Sequence, residues 1–215
     1  VSVAMLGGDV SPYSPIGINL PNSNWIRSDY GSKSVSLGNI TTAYDEARSG
    51  GLVEEFGYTD EEKARSKKYG SFAGKIHTAM HEVLGHASGK LEAGVGTPKE
   101  TLKSYASTIE EGRADLFGLY YIMDPQLVEM GLLETDEIGK AEYDGYIKNG
   151  LMLQLRRLQP GEEIEESHMR NRAYISHWTY EKGRKDNVIE KKVRDKKTYF
   201  VVNDYEALRE LFGEL

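Results

Sequence analysis

Two short stretches of this 215-residue chain carry residue types spaced for metal chemistry: His81-Glu82-Val83-Leu84-Gly85-His86, and Glu110-Glu111-Gly112-Arg113-Ala114-Asp115. Two imidazoles and one carboxylate are a common catalytic zinc set, because three protein ligands leave a fourth position open for water. Glu82 stands beside the first histidine, where a carboxylate can take a proton from a metal-activated water as that water attacks a carbonyl. The combination predicts hydrolysis.

The spacing of the histidines is irregular. A zinc-protease helix usually carries them at i and i+4, about 40° apart around the axis, but an i and i+5 pair on a regular helix diverges by about 140°. His81 and His86 are such a pair. Sharing one ion therefore requires a single wide, π-type turn between them, and turns of that kind are often found at functional sites. Gly85 lies inside the turn and relaxes its backbone. His77 and His81, at i and i+4, are the competing pair, but that choice leaves Glu111 without a role. A partly exposed, non-ligating His77 is the expectation.

Glu111 and Asp115, also at i and i+4, share a helix face. Glu111 can then reach the metal while Asp115 accepts from the outer nitrogen of a ligating histidine, the usual device for fixing its tautomer. Glu110 is a second candidate for that outer role. Taken alone, these acids with Arg113 would read as a solvated face. The apolar run Leu116, Phe117, Leu119, Tyr120, Tyr121 that follows marks instead a core helix carrying its charges inward.

The elements that must position these groups read as one domain over 1–215, mainly α with a small β-hairpin near the C-terminus. The first forty residues, rich in Gly, Pro, Ser and Asn, read as extended or looped chain. Helices are expected from Thr41 or Thr42 to Arg48, over 61–68, over 71–90 with the histidines, over 101–123 with the acidic motif, over 135–158 and over 162–182. Residues 187–193 and 198–202 alternate and are β-branched, predicting the hairpin, with Asn203 or Asp204 capping a last helix. The net charge is −7 and there is no cysteine, so metal ligands must be His or carboxylate and no disulfide forms. Lysines and arginines are dispersed apart from a run between Lys182 and Lys197 that reads as a solvated hairpin edge, which argues against nucleic acid as a partner. No run of about 18 apolar residues predicts a membrane span. The expectation is a soluble, cytoplasmic piece of a longer protein.

HEVLGH with EEGRAD resembles the dipeptidyl peptidase III family of zinc exopeptidases. Further segments carry the same resemblance: Gly17-Ile18-Asn19-Leu20-Pro21-Asn22, then Val35-Ser36-Leu37-Gly38-Asn39, and Ser167-His168-Met169-Arg170-Asn171-Arg172. The resemblance implies one Zn2+ per chain held by His81, His86 and Glu111, with Glu82 activating water and Glu110 and Asp115 bound to the ligating histidines. It implies that His168 donates a hydrogen bond to the developing oxyanion, that Arg172 holds substrate, and that Asn19 and Asn22 bind peptide backbone. Without it, His168 reads as a surface histidine and the two asparagines as turn formers. Family members are two-lobed, and this chain matches the helical zinc lobe without the β-rich lobe across the cleft. The implied activity is hydrolysis of short peptides by release of N-terminal dipeptides. The competing readings are a zinc- and peptide-binding module with negligible turnover, and a structural domain, which three rather than four protein ligands disfavour.

Overall fold

The computed structural model describes residues 2–4, 17–20, 23–31, 33–47, 51–89, 91–153, 164 and 167–215. Where loop was expected near the start, two strands, β1 (Gly17–Leu20) and β2 (Lys33–Ser36), pair antiparallel with Ile18 opposite Val35, and α1 (Asn24–Tyr30) lies between them in sequence. Four-residue strands pairing across more than ten residues leave no local turn signal. Two helices follow, α2 (Gly38–Ala47) and α3 (Gly51–Phe56).

The scaffold proper begins with α4 (Asp60–Met80), whose N-cap Thr59 accepts from the backbone N–H of Glu62. Asp60, Glu61 and Glu62 fill its first turn, where negative charge complements the helix dipole. It continues unbroken through Gly70, across the gap expected between 68 and 71. A helical glycine costs about 1 kcal/mol relative to alanine, less than burying the face that carries Ala73 and His77 returns. The helix runs directly into a π turn, His81–Gly85.

Beyond Thr97, whose capping box with Glu100 starts α5 (Pro98–Leu102), a 3₁₀ turn over Lys103–Tyr105 re-aims the chain into α6 (Ala106–Ile122). Of the apolar run on α6, Leu119 is buried but Tyr121 is exposed, so the inward face is narrower than the run suggested. Asp124 caps the short α7 (Pro125–Glu129); α8 (Glu137–Lys148) passes into a second π turn, Asn149–Leu153. Helix α9 (Ser167–Lys182) precedes β3 (Ile189–Arg194) and β4 (Lys197–Val202), which form the expected hairpin. Its two-residue turn, Asp195 and Lys196, has both φ angles positive, as a type I′ turn requires. Asp204 caps α10 (Tyr205–Glu214) by accepting from Ala207 N–H. Among the described residues no helix is long and apolar enough to cross a membrane.

One apolar core joins α4, α6, α8, α9 and α10 through Ala73, Leu119, Ile147, Ile175, Leu208 and Phe212, with Tyr143 donating to the Leu119 carbonyl at 2.7 Å. Beside it lies a buried charge cluster. Arg65 donates to Glu137 at 2.7 Å, to Asp144 at 2.8 Å and to Tyr205 Oη at 2.7 Å, and Lys148 pairs with Glu62. These pairs tie α4 to α8 and α10, so the helix that delivers His81 is fixed from its N-terminal half.

Burial pushes the Asp144 carboxyl up to about 6, Glu62 adding to the effect while Lys148 and Arg65 oppose it. An aspartate whose folded value lies above its unfolded one takes up a proton on folding. Its stabilising contribution is complete below the unfolded value and is lost as pH rises through the folded one. Asp144→Asn therefore costs about 2 kcal/mol more at about pH 4.5 than at about pH 7.5, a difference read from urea denaturation of the two proteins.

Candidate metal centre

The backbone N–H of His86 donates to the His81 carbonyl at 2.9 Å, an i to i+5 bond that absorbs the extra residue between the two histidines. The imidazoles consequently come together edge to face, with ring centroids 4.7 Å apart. Gly85 serves the turn by close approach rather than by relaxing its backbone. A Cβ there would stand 2.6 Å from Ala114 Cα and 2.7 Å from the Ala114 carbonyl oxygen, so the turn packs directly on the backbone of α6.

Arg113 holds the far end of that turn. Its Nη1 donates to the carbonyls of Gly85 and Ser88, each at 2.7 Å, and its Nη2 donates to Glu110 at 2.8 Å. Carbonyls at a helix end lack intrahelical partners, and this guanidinium supplies one from the neighbouring helix. A role as a solvated surface charge does not describe it.

The face of α6 turned towards the histidines carries three acids in three settings. Asp115 Oδ1 lies 2.7 Å from His81 Nδ1, and Glu110 Oε1 lies 3.0 Å from His86 Nδ1. Each histidine thus has its outer nitrogen on a carboxylate, which puts the proton at Nδ1 and leaves Nε2 to face inward. Both Nε2 atoms face Glu111, whose Oε2 is 3.1 Å from that of His81 and 3.7 Å from that of His86. His81, His86 and Glu111 each offer one ligand atom, all within 4.8 Å of one another.

The arrangement fits a tetrahedral zinc ion. Bonds of about 2.0–2.1 Å to nitrogen and oxygen place neighbouring donors about 3.3 Å apart, which the two observed separations bracket. Glu111 Oε2 is also buried without a well-formed hydrogen bond, although three imidazole nitrogens lie close to it. An acceptor oriented past its neighbours rather than at them suits a cation lying between.

Opposed charges determine the electrostatics. Burial would raise the Glu111 carboxyl, but His168 and His81 hold it at about 2. Asp115 is likewise driven below the usual carboxylate range against its burial, by His81, His77 and Arg172. Burial would lower His81, yet Asp115 and Glu111 push it up to about 10.

The remaining candidates are placed unevenly. Glu82 is half-buried within the π turn, and its backbone carbonyl accepts from Ser34 Oγ at 2.7 Å, tying β2 to the turn. His168, on α9 and more than half exposed, has its Nε2 3.2 Å from Glu111 Oε2 and its ring stacked near His81 at 6.3 Å. Arg172, one turn further along, lies 3.8 Å from Asp115. Asn19 lies in β1 opposite Ser34, its side chain outside what the structure describes, and Asn22 lies outside the described residues. His77 is buried rather than partly exposed and stands outside the metal group, bound to Glu142. Tyr146 Oη and Asn171 Nδ2 donate to Asp115 at 2.8 and 3.2 Å. Sequence spacing did not single them out, since both lie on other helices.

Because the atoms that a Gly85 side chain would meet are backbone, Gly85→Ala cannot be absorbed by a rotamer change. Overpacking of this kind costs about 1–3 kcal/mol, lowering the melting temperature by about 2–12 °C at this size. Any metal affinity of the histidine–glutamate group should fall with it, because His86 is displaced relative to His81; calorimetry and metal analysis of the variant check both.

The family model for peptidase family M49 matches residues 8–97, which include the histidine motif. Dipeptidyl peptidase 3 from Mus musculus is 31% identical over 146 residues, covering 54% of this chain and 19% of that protein. The Homo sapiens protein is 34% identical over 146 residues with the same coverage, and the Nematostella vectensis protein is 44% identical over 78 residues, covering 36% and 10%. The chain thus spans about a fifth or less of the length of these relatives. Among solved structures, DPP III from Caldithrix abyssi superposes with a TM-score of 0.66 at 24% identity, covering 93% of this chain and 36% of that one. The enzyme from Corallococcus sp. strain EGB gives 0.68 at 22%, covering 93% and 34%. In sequence this chain is similar to peptidase family M49 and to dipeptidyl peptidase 3 over part of its length, and over nearly all of it the chain shares its fold with the two solved structures.

Proposed function

We propose that this chain carries the zinc centre of a metallopeptidase that hydrolyses short peptides, releasing dipeptides from their N-termini. The observation that carries this reading is the pair of carboxylate-bound histidines whose inward nitrogens converge on Glu111. The family relationship and the names of the relatives support the peptide substrate.

His81, His86 and Glu111 would hold the ion. Zinc, when bound, makes a water acidic near neutral pH and polarises a carbonyl. Asp115 and Glu110 keep each imidazole in the tautomer that presents Nε2, and fix its orientation. Glu82, next to the first ligand, takes the proton of the attacking water and passes it to the leaving amine. His168 reaches the same space from α9 and donates to the carbonyl oxygen as negative charge develops on it. Arg172, beside it, offers a cation to a substrate carboxylate or carbonyl. Asn19 would present an amide, able both to donate and to accept, to peptide backbone along β1, and Asn22 the same beyond it.

Metal analysis joined to an assay of dipeptidyl-naphthylamide cleavage tests the reading. Glu82→Gln should keep one zinc per chain while cleavage falls by about 10²-fold or more. His168→Ala should lower turnover by about 10²-fold to 10³-fold with zinc content unchanged. Because the chain spans a fraction of its relatives, zinc uptake without cleavage by the unaltered chain would assign it as a zinc- and peptide-binding module. Absence of stoichiometric zinc would overturn the site.

A further inference from the structure

His77 lies one helical turn before His81, buried where α4 meets α6 and α8. Its Nδ1 is 2.6 Å from Glu142 Oε1 on α8, and its Nε2 is 3.5 Å from Asp115 Oδ1 on α6. The ring occupies space that α6 leaves by having glycine at 118, where any Cβ would overlap the imidazole. Tyr146 flanks it with ring centroids 5.6 Å apart, while its hydroxyl donates to the other oxygen of Asp115. The cavity is therefore shaped to the ring, and both ring nitrogens face carboxylates.

We infer that His77 is a positioning residue for the metal site: held by Glu142 as an imidazolium, it fixes Asp115 as the acceptor of His81 and thereby strengthens metal binding. The inference rests on the zinc reading of His81, His86 and Glu111. A neutral His77 donating from Nδ1 to Glu142 would aim its Nε2 lone pair at Asp115 Oδ1, two acceptors facing each other in a dry interior. Protonation at both nitrogens turns that contact into an attraction. The 3.5 Å separation makes it an ion pair rather than a hydrogen bond, so its effect is exerted through charge. Burial disfavours the imidazolium, but Glu142 and then Asp115 outweigh it and raise His77, with Arg172 on α9 opposing them. Without His77 the Asp115 carboxylate, 2% exposed, loses one of the groups that face it and keeps His81 at 2.7 Å and Arg172 at 3.8 Å. A buried carboxylate that loses a partner turns towards those that remain, and an Asp115 turned away from His81 no longer orients it.

The test is zinc affinity of the 215-residue chain, measured by competition with a chromophoric chelator, in His77→Gln and Glu142→Gln. Glutamine keeps a polar group in the cavity but removes the charge. Each variant should bind zinc about tenfold more weakly, the usual size for loss of a partner behind a ligand. The absorption bands of Co2+ bound in place of zinc should shift in both. The double variant should lose no more than either single one, because the two residues act as one unit. Melting temperatures of the metal-free proteins separate positioning from packing, and should stay near that of the parent chain. Unchanged affinity and an unchanged Co2+ spectrum overturn the inference, as does a loss of affinity that follows an equal loss of metal-free stability. If His77→Gln does not fold, Glu142→Gln carries the same comparisons alone. A parent chain that binds no zinc overturns the metal reading itself, an outcome distinct from a zinc-binding parent with unaffected variants.

Discussion

The site depends on one geometric constraint: His81 and His86 are five residues apart, and a regular helix would point them in different directions. The bond from His86 N–H to the His81 carbonyl resolves it by widening one turn. A π turn is unfavourable on its own, so something outside α4 must hold it. Here α6 does so, by laying Ala114 against Gly85 and by donating from Arg113 to the carbonyls at the turn's end. The same helix supplies Glu111 and the two carboxylates that orient the histidines. Support for the turn and completion of the ligand set are therefore one packing event, and a shift of α6 cannot disturb one without the other.

Behind the candidate metal group, Asp115 gathers contacts from the π turn and three other helices: His81 from the turn, His77 from α4, Tyr146 from α8, and Asn171 and Arg172 from α9. Burying a carboxylate is costly unless hydrogen bonds and opposite charges replace its water. Satisfying Asp115 thus requires these helices to meet at one point. The apolar core around Tyr143 and Phe212, which Tyr146 joins, provides the packing that holds them there.

Much of the centre was legible because its determinants are local in sequence. The i and i+5 spacing demanded a wide turn, and the i and i+4 pair Glu111 and Asp115 assigned a ligand and its neighbour's partner to one face. Hairpin alternation placed β3 and β4, and the side chain of Asp204 starts α10 as a capping residue should. What escaped was set by tertiary contact. Arg113 reads as a surface charge until the π turn presents carbonyls to it. His77 reads as an exposed histidine until Gly118 opens a cavity and Glu142, 65 residues away, enters it. Strands β1 and β2 are too short and too far apart for periodicity to reveal. The helix over 60–80 was divided at Gly70 by propensity, which core burial overrode.

The two histidines are not equivalent. Asp115, the partner of His81, has a side chain 3% exposed, whereas Glu110, the partner of His86, is 36% exposed and shares its oxygen with Arg113. Charge–charge attraction strengthens as water is excluded, so His81 is the ligand held firmly and His86 the one held through a surface-accessible pair. His168, itself more than half exposed, reaches Glu111 from α9. A centre built this way keeps its rigid, dry half against the helical core and its adjustable half towards solvent. His81 belongs to the first of these, and Glu82, joined to it by a single peptide bond, inherits its position.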